Sequence, residues 1–247
     1  MARYEVILAY DGSGFQGSQR QTRIRTVQGE LETALRNLGW KGTSMIMAGR
    51  TDAGVHAQGQ VAAFDLEWAH ADARLLKALN AELPADVAVR SLRVASADFH
   101  PRFDATSRRY RYKLFCEPIR DPLRERFAWR VWPEVNAKAL LEIAGLFIGA
   151  HDFAAFGSPT TPKRTTVRTV TKSEWQQRPN GEWQFEVEAD AFLYRMVRRL
   201  VFVQVFVAHG KCRAEEVQIA LRKQAKLRSG LAPAHGLTLV EVTYGSQ

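Results

Sequence analysis

The stretch Arg3-Tyr4-Glu5-Val6-Ile7-Leu8-Ala9-Tyr10 sets Tyr4, Val6, Leu8 and Tyr10 on one side of an extended chain and Glu5, Ile7 and Ala9 on the other. Successive side chains of a strand point to opposite faces, so this period of two predicts a half-buried strand. Beyond it a glycine-rich turn leads to Val27, Leu31, Leu35 and Leu38, which recur at helical spacing until Gly39. Ser44 to Ala48 and Gln60 to Leu66 read as strands. Leu75, Leu76, Leu79 and Leu83 mark a second helix that Pro84 ends, and Asp86 to Val94 is a further strand. Strand, helix, strand, strand, helix, strand is the split βαβ order of ferredoxin-like folds.

The remainder follows a similar logic: strand Ser107 to Phe115, helix Asn136 to Phe147, strands Val167 to Trp175 and Trp183 to Ala189, helix Leu193 to Ala208. A helix at Ala214 to Arg222 and a strand at Leu237 to Tyr244 follow. The expected architecture is α+β. It consists of two ferredoxin-like lobes, residues 1–105 and 106–247, with mainly antiparallel sheets joined around a central basic cleft.

With 46% hydrophobic residues in 247, the chain can fill a core, and disorder is excluded for most of it. The net charge of +9 is unevenly placed. Residues 1–105 hold 12 Lys or Arg against 12 Asp or Glu, and residues 106–247 hold 23 against 14, so the whole excess lies in the second part. Such an excess attracts a polyanion, most often a nucleic acid, although basic proteins that bind none also exist. The most apolar run, Leu200 to Ala208, is far short of the roughly 20 residues of a membrane span. The opening Met1 to Tyr10 lacks the layout of an export signal. Cys116 and Cys212 are far apart and read as reduced packing residues, and the six histidines show no metal-ligand spacing. The expectations are a cytoplasmic location, no membrane contact and no metal.

Gly12-Ser13-Gly14-Phe15-Gln16-Gly17 fits half of a dinucleotide fingerprint. The other half fails, because no helix opens on these glycines and Glu30 and Glu32 fall inside a helix. No nucleotide cofactor is therefore expected. The polar loop that follows, with Gln19, Arg20, Gln21, Arg23 and Arg25, reads equally as a phosphate-contacting segment or as a solvated turn. Most informative is Ala48-Gly49-Arg50-Thr51-Asp52-Ala53-Gly54-Val55-His56-Ala57. Two glycines bracket Arg-Thr-Asp directly after an apolar strand, a setting for a catalytic carboxylate on a loop held by rigid strands. An Asp that caps its own turn is the alternative. Strand Ser107 to Phe115 alternates Tyr110, Tyr112 and Leu114 with Arg109, Arg111 and Lys113, one aromatic and one basic face. Arg195, Arg198 and Arg199 share a helix face, which reads as the source of a cation, Arg198, for the Asp52 carboxylate or as the solvated basic edge of an amphipathic helix. Lys163, Arg164, Arg168 and Lys172 lie in a Thr-rich stretch suited to an RNA backbone or to solvent.

The blocks DGSGFQGSQRQ, AGRTDAGVHA, FHPRFDATSRRYRY, FLYRMVR and APAHGLTLVEVTY, in this order from residue 11 to 244, resemble the tRNA pseudouridine synthase A family. The resemblance implies the pseudouridine synthase fold and an isomerase that converts uridine to pseudouridine at about positions 38 to 40 of the tRNA anticodon stem-loop. It implies a homodimer that needs no cofactor or metal. It assigns Asp52 as the catalytic carboxylate, Arg50 to base displacement, Tyr110 to stacking on the uracil and Arg198 to pairing with the aspartate. Arg20, Arg23, Arg109, Arg111, Lys163, Arg164 and Arg168 are the expected further RNA contacts. The chain departs from the family pattern at Ser18, where a tryptophan is expected, and at Arg199 and Phe202, where asparagine and glycine are expected. An RNA-binding module without activity is the rival reading.

Overall fold

The computed structural model describes residues 1–159, 165–223 and 225–245. In chain order they form β1 (Ala2–Tyr10), α1 (Val27–Asn37), β2 (Ile46–Met47), β3 (His56–Leu66), α2 (Asp72–Glu82), β4 (Val87–Val94) and β5 (Ala105–Cys116). Then come β6 (Trp129–Val131), α3 (Ala137–Gly145), β7 (Gly149–Asp152), β8 (Val167–Gln177) and β9 (Glu182–Ala189). The series ends with α4 (Met196–Ala208), α5 (Ala214–Lys223) and β10 (Leu237–Tyr244). Two compact units result, Met1–Thr106 with Thr238–Gln247, and Ser107–Leu237.

In the first unit the sheet runs β4-β1-β3, with β2 antiparallel and β10 parallel to different parts of β3. This is the ferredoxin-like order, and the α+β expectation holds. Tyr4, Val6, Leu8 and Tyr10 of β1 are buried, as their alternation requires. Helix α1 begins where the Thr26 side chain accepts a hydrogen bond from the Gly29 amide, and it buries Val27, Leu31, Ala34 and Leu35. Helix α2 buries Leu75 and Leu79 and stops before Pro84. β2 is shorter than the Ser44 to Ala48 expected, whereas β3 starts four residues early because His56 and Ala57 pair with Thr238 and Leu239 of β10.

In the second unit the antiparallel order is β5-β9-β8-β7, and β6 runs parallel to β5. Tyr110, Tyr112 and Leu114 of β5 are buried, and on the opposite face of the sheet Arg109, Arg111 and Lys113 stand across from Glu188, Glu186 and Gln184 of β9. Helix α4 starts at Met196 and not at Leu193, because Arg195 adopts a left-handed backbone (φ 62°) that a helix cannot continue through. Of the three arginines, only Arg195, just before the helix, is exposed. Arg199 is 8% exposed and donates to the carbonyls of Gly230 (3.0 Å) and Leu227 (3.0 Å). Arg198 donates to Ala232 (2.8 Å). Buried guanidinium hydrogens need acceptors, and the segment 227–232 supplies them. Burial lowers the pKa of Arg199. Phe202 lies against Gly230, where a Cβ would fall 2.2 Å from its ring. Thus two departures from the family pattern, Arg199 and Phe202, fasten one segment to α4. Among the described residues no helix is long and apolar enough to cross a membrane.

Candidate active site

Asp52 is half-buried on the loop between β2 and β3, beside the exposed Arg50. Hydrogen bonds hold the loop's backbone at Gly49, Thr51, Asp52 and Gly54. The Gln60 side chain accepts from the Gly49 amide (3.2 Å) and donates to its carbonyl (2.9 Å). The Thr51 amide donates to Ser18 Oγ (2.9 Å), and the Ser18 amide donates back to the Thr51 carbonyl (3.1 Å). The hydroxyls of Tyr10 and Thr51 share a hydrogen bond of 2.9 Å. Burial raises the Tyr10 pKa, which keeps that phenol neutral and able to bond the threonine. Beyond Asp52 the Val55 amide donates to its carbonyl (3.2 Å), and the Gly54 amide reaches Phe15 (3.3 Å). The His56 Nδ1 accepts the Gly12 amide (3.0 Å), so this ring orients backbone.

The glycines of the false dinucleotide fingerprint now have an explanation. A Cβ on Gly12 would lie 2.0 Å from the Val55 carbonyl oxygen, and one on Gly17 (φ 92°) would lie 2.9 Å from that of Thr51. They permit close approach of one loop to another, a use of glycine that a pyrophosphate would otherwise claim.

The basic residues divide by what they already hold. Arg20 donates to the buried Glu32 carboxylate (2.5 Å) and to the Thr43 carbonyl (3.0 Å). Arg25 stacks on Phe15 and makes a two-point bond to Asp86 (2.7 and 2.9 Å), which lowers the Asp86 pKa. Arg23 is exposed with a left-handed backbone (φ 60°) in the turn bridged by Gln21 and Ile24. Arg111 bonds Glu186 at 2.8 Å and Arg109 approaches it at 4.0 Å, while Lys172 reaches it from β8 at 2.7 Å. Burial opposes ionisation of Glu186, yet the bonds from Lys172 and Arg111 outweigh it and hold its pKa at about 2. Arg168 donates to the carbonyls of Thr165 (2.9 Å) and Val167 (2.5 Å). Lys163 and Arg164 lie outside the described residues. Tyr110 is 9% exposed, with its ring edge-on to Phe192 at 5.1 Å. Tyr112, its neighbour on the same face, donates its hydroxyl to the Pro233 carbonyl (2.8 Å). Asp52 and Arg50 belong to the first unit, Tyr110 and Arg198 to the second.

Sequence reasoning missed Tyr10, Ser18 and Gln60 as supports of the Asp52 loop. Tyr10 carried only a core signal and Gln60 only a strand signal, while Ser18 stood out solely as a departure from a pattern. Among the described residues no group of His, Cys, Asp and Glu is placed to hold a metal ion.

Comparison with known proteins supplies the name of this arrangement. A family profile described as tRNA pseudouridine synthase matches residues 6–104 and 143–245. The tRNA pseudouridine synthase A of Solidesulfovibrio magneticus is 43% identical over 255 aligned positions, covering 100% of this chain and 92% of that protein. That of Chloroflexus aurantiacus is 39% identical over 251, covering 99% and 89%. A solved Cbf5-Nop10-Gar1 complex aligns with 82% of this chain and 44% of the other at 13% identity and a TM-score of 0.39, too slight a likeness to carry an argument. With a profile spanning most of both units and relatives matched nearly end to end, the chain belongs to the tRNA pseudouridine synthase family.

Proposed function

We propose that this protein isomerises uridine to pseudouridine in the anticodon stem-loop of tRNA, at about positions 38 to 40, with Asp52 as the catalytic carboxylate. The observation that carries the reading is a half-buried carboxylate on a loop held by hydrogen bonds at Gly49, Thr51, the Asp52 carbonyl and Gly54, within a chain of this family. A rigid loop holding one acid suits the reaction. The C1′–N1 bond of uridine breaks, the uracil turns, C1′ bonds to C5, and the C5 proton leaves while N1 gains one. No electrons are exchanged. Whether Asp52 adds to the nucleoside or removes a proton, it acts as the carboxylate, and Arg198 is assigned as its partner. A paired uridine must leave its stack at a cost of a few kcal/mol. Arg50 is assigned to displacing it, and stacking on Tyr110, worth roughly 1 to 3 kcal/mol, offsets much of that cost. Arg23, Arg109, Arg111, Arg168 and, outside the described residues, Lys163 and Arg164 are proposed backbone contacts. The protein is proposed to act in the cytoplasm as a homodimer, which sedimentation at micromolar concentration tests.

Purified protein incubated with unmodified tRNA transcript, without added metal or cofactor, is expected to give carbodiimide-dependent primer-extension stops confined to the lower anticodon stem and adjoining loop. Asp52→Ala is expected to give none while binding tRNA within a few fold of the parent. Binding without stops by the parent would replace the enzyme with an RNA-binding module.

A further inference from the structure

Ser18 is 0% exposed, and each of its polar atoms has a partner. Its carbonyl accepts the Gln28 amide in the first turn of α1 (2.9 Å), its amide donates to the Thr51 carbonyl (3.1 Å), and its Oγ accepts the Thr51 amide (2.9 Å). The Thr51 amide belongs to the peptide before that residue and the Thr51 carbonyl to the peptide joining it to Asp52. Ser18 therefore clamps both soft torsions of the residue preceding the carboxylate. Tyr10 fixes the remaining one, since its hydroxyl bond to Thr51 Oγ1 selects the threonine rotamer. Gly17 makes the clamp possible, because a Cβ there would meet the Thr51 carbonyl. Downstream, the Val55 bond to the Asp52 carbonyl closes the turn.

We infer that Ser18, with Tyr10, is a positioning residue for catalysis: it transmits the rigidity of α1 to the Thr51–Asp52 peptide and so sets where the Asp52 carboxylate stands. A tryptophan at this place has no side-chain acceptor for the Thr51 amide, so the device belongs to this chain's own sequence. Ser18 is fully buried and so offers RNA no surface, which distinguishes the role from binding. The inference rests on the catalytic assignment of Asp52 made above.

The test compares Ser18→Ala, Tyr10→Phe and Asp52→Asn by single-turnover rate at saturating tRNA transcript, by tRNA Kd and by thermal melt. Losing one hydrogen bond that orients a catalytic group is expected to slow Ser18→Ala about tenfold, with Kd within about twofold of the parent at temperatures well below its melt. Tyr10→Phe is expected to slow the same step less, and Asp52→Asn to be inactive. If Asp52→Asn is inactive but Ser18→Ala turns over at the parental rate, or is impaired only in Kd, the positioning role is overturned and the catalytic assignment stands. If Asp52→Asn turns over, both fall. Should Ser18→Ala not fold, Tyr10→Phe carries the same rate criterion, and a parental saturated rate overturns the inference.

Discussion

Arg20 is the residue where an RNA contact and a structural tie make opposite predictions, and Arg20→Ala separates them. Its partner Glu32 is 0% exposed and uses both carboxylate oxygens. Oε1 accepts from Gln28 (2.8 Å) and from the Met45 amide (3.1 Å), and Oε2 faces Arg20 at 2.5 Å and Arg36 at 3.4 Å. Stripping one partner from a buried ion pair costs about 3 to 5 kcal/mol. Here Arg36 remains and the vacated Arg20 side admits water, which lowers the expected cost to about 2 kcal/mol. For a chain of this length that lowers Tm by roughly 4 to 8 °C. The assay is urea unfolding followed by circular dichroism, paired with tRNA binding at two salt concentrations under folding conditions. The expected result is a lower midpoint with Kd changed less than about twofold. Parental stability together with weaker binding and a shallower salt dependence would refute the reasoning and return Arg20 to the RNA surface.

Three further outcomes follow from the geometry. Glu186 titrates at about 2 when folded and near the ordinary carboxylate value when unfolded, so its ion pairs stabilise fully above about pH 4.5 and less as pH falls toward 2. Glu186→Gln should therefore lose about 2 to 3 kcal/mol at neutral pH and show a flatter acid limb in melts between pH 5 and 2.5, a flattening whose absence would contradict the paired state. Gly12→Ala should cut single-turnover rate at least tenfold while the fold, followed by circular dichroism, persists, because the new Cβ displaces the Val55 carbonyl at the far end of the Asp52 turn. Gly230→Ala should destabilise by about 2 kcal/mol or more, and Phe202→Ala in the same chain should return part of it, a non-additivity that chemical unfolding of the two single variants and the double variant measures.

What the sequence discloses is what each segment carries within itself. The alternation of Tyr4, Val6, Leu8 and Tyr10 and the helical spacing of Val27, Leu31 and Leu35 name their elements because burial acts on neighbours one turn or one pleat apart. β7 is not legible, since Gly149 to Asp152 has no alternation and is defined as a strand by its register with β8. The end of α4 was placed correctly and its start was not, because the break at Arg195 is a backbone conformation that no composition announces. The basic face of β5 is legible from its alternation, whereas the pairing of Arg111 with Glu186 is not, because 75 residues of chain separate the two. Asp52 stood out by its glycine-bracketed motif. Its supports did not, because Tyr10 and Ser18 reach Thr51 across 41 and 33 residues of chain.

The pairing of β10 with the start of β3 has a consequence for how the protein is made. Thr238 and Leu239 seal the edge of β3 at His56 and Ala57, next to the Asp52 turn, yet they leave the ribosome only after all of Ser107–Leu237. At about 5 to 20 residues per second the nascent first unit waits roughly 7 to 26 s with that edge unpaired. Translation thus imposes an order on assembly, in which the sheet beside the Asp52 loop is closed only after the second unit has been made.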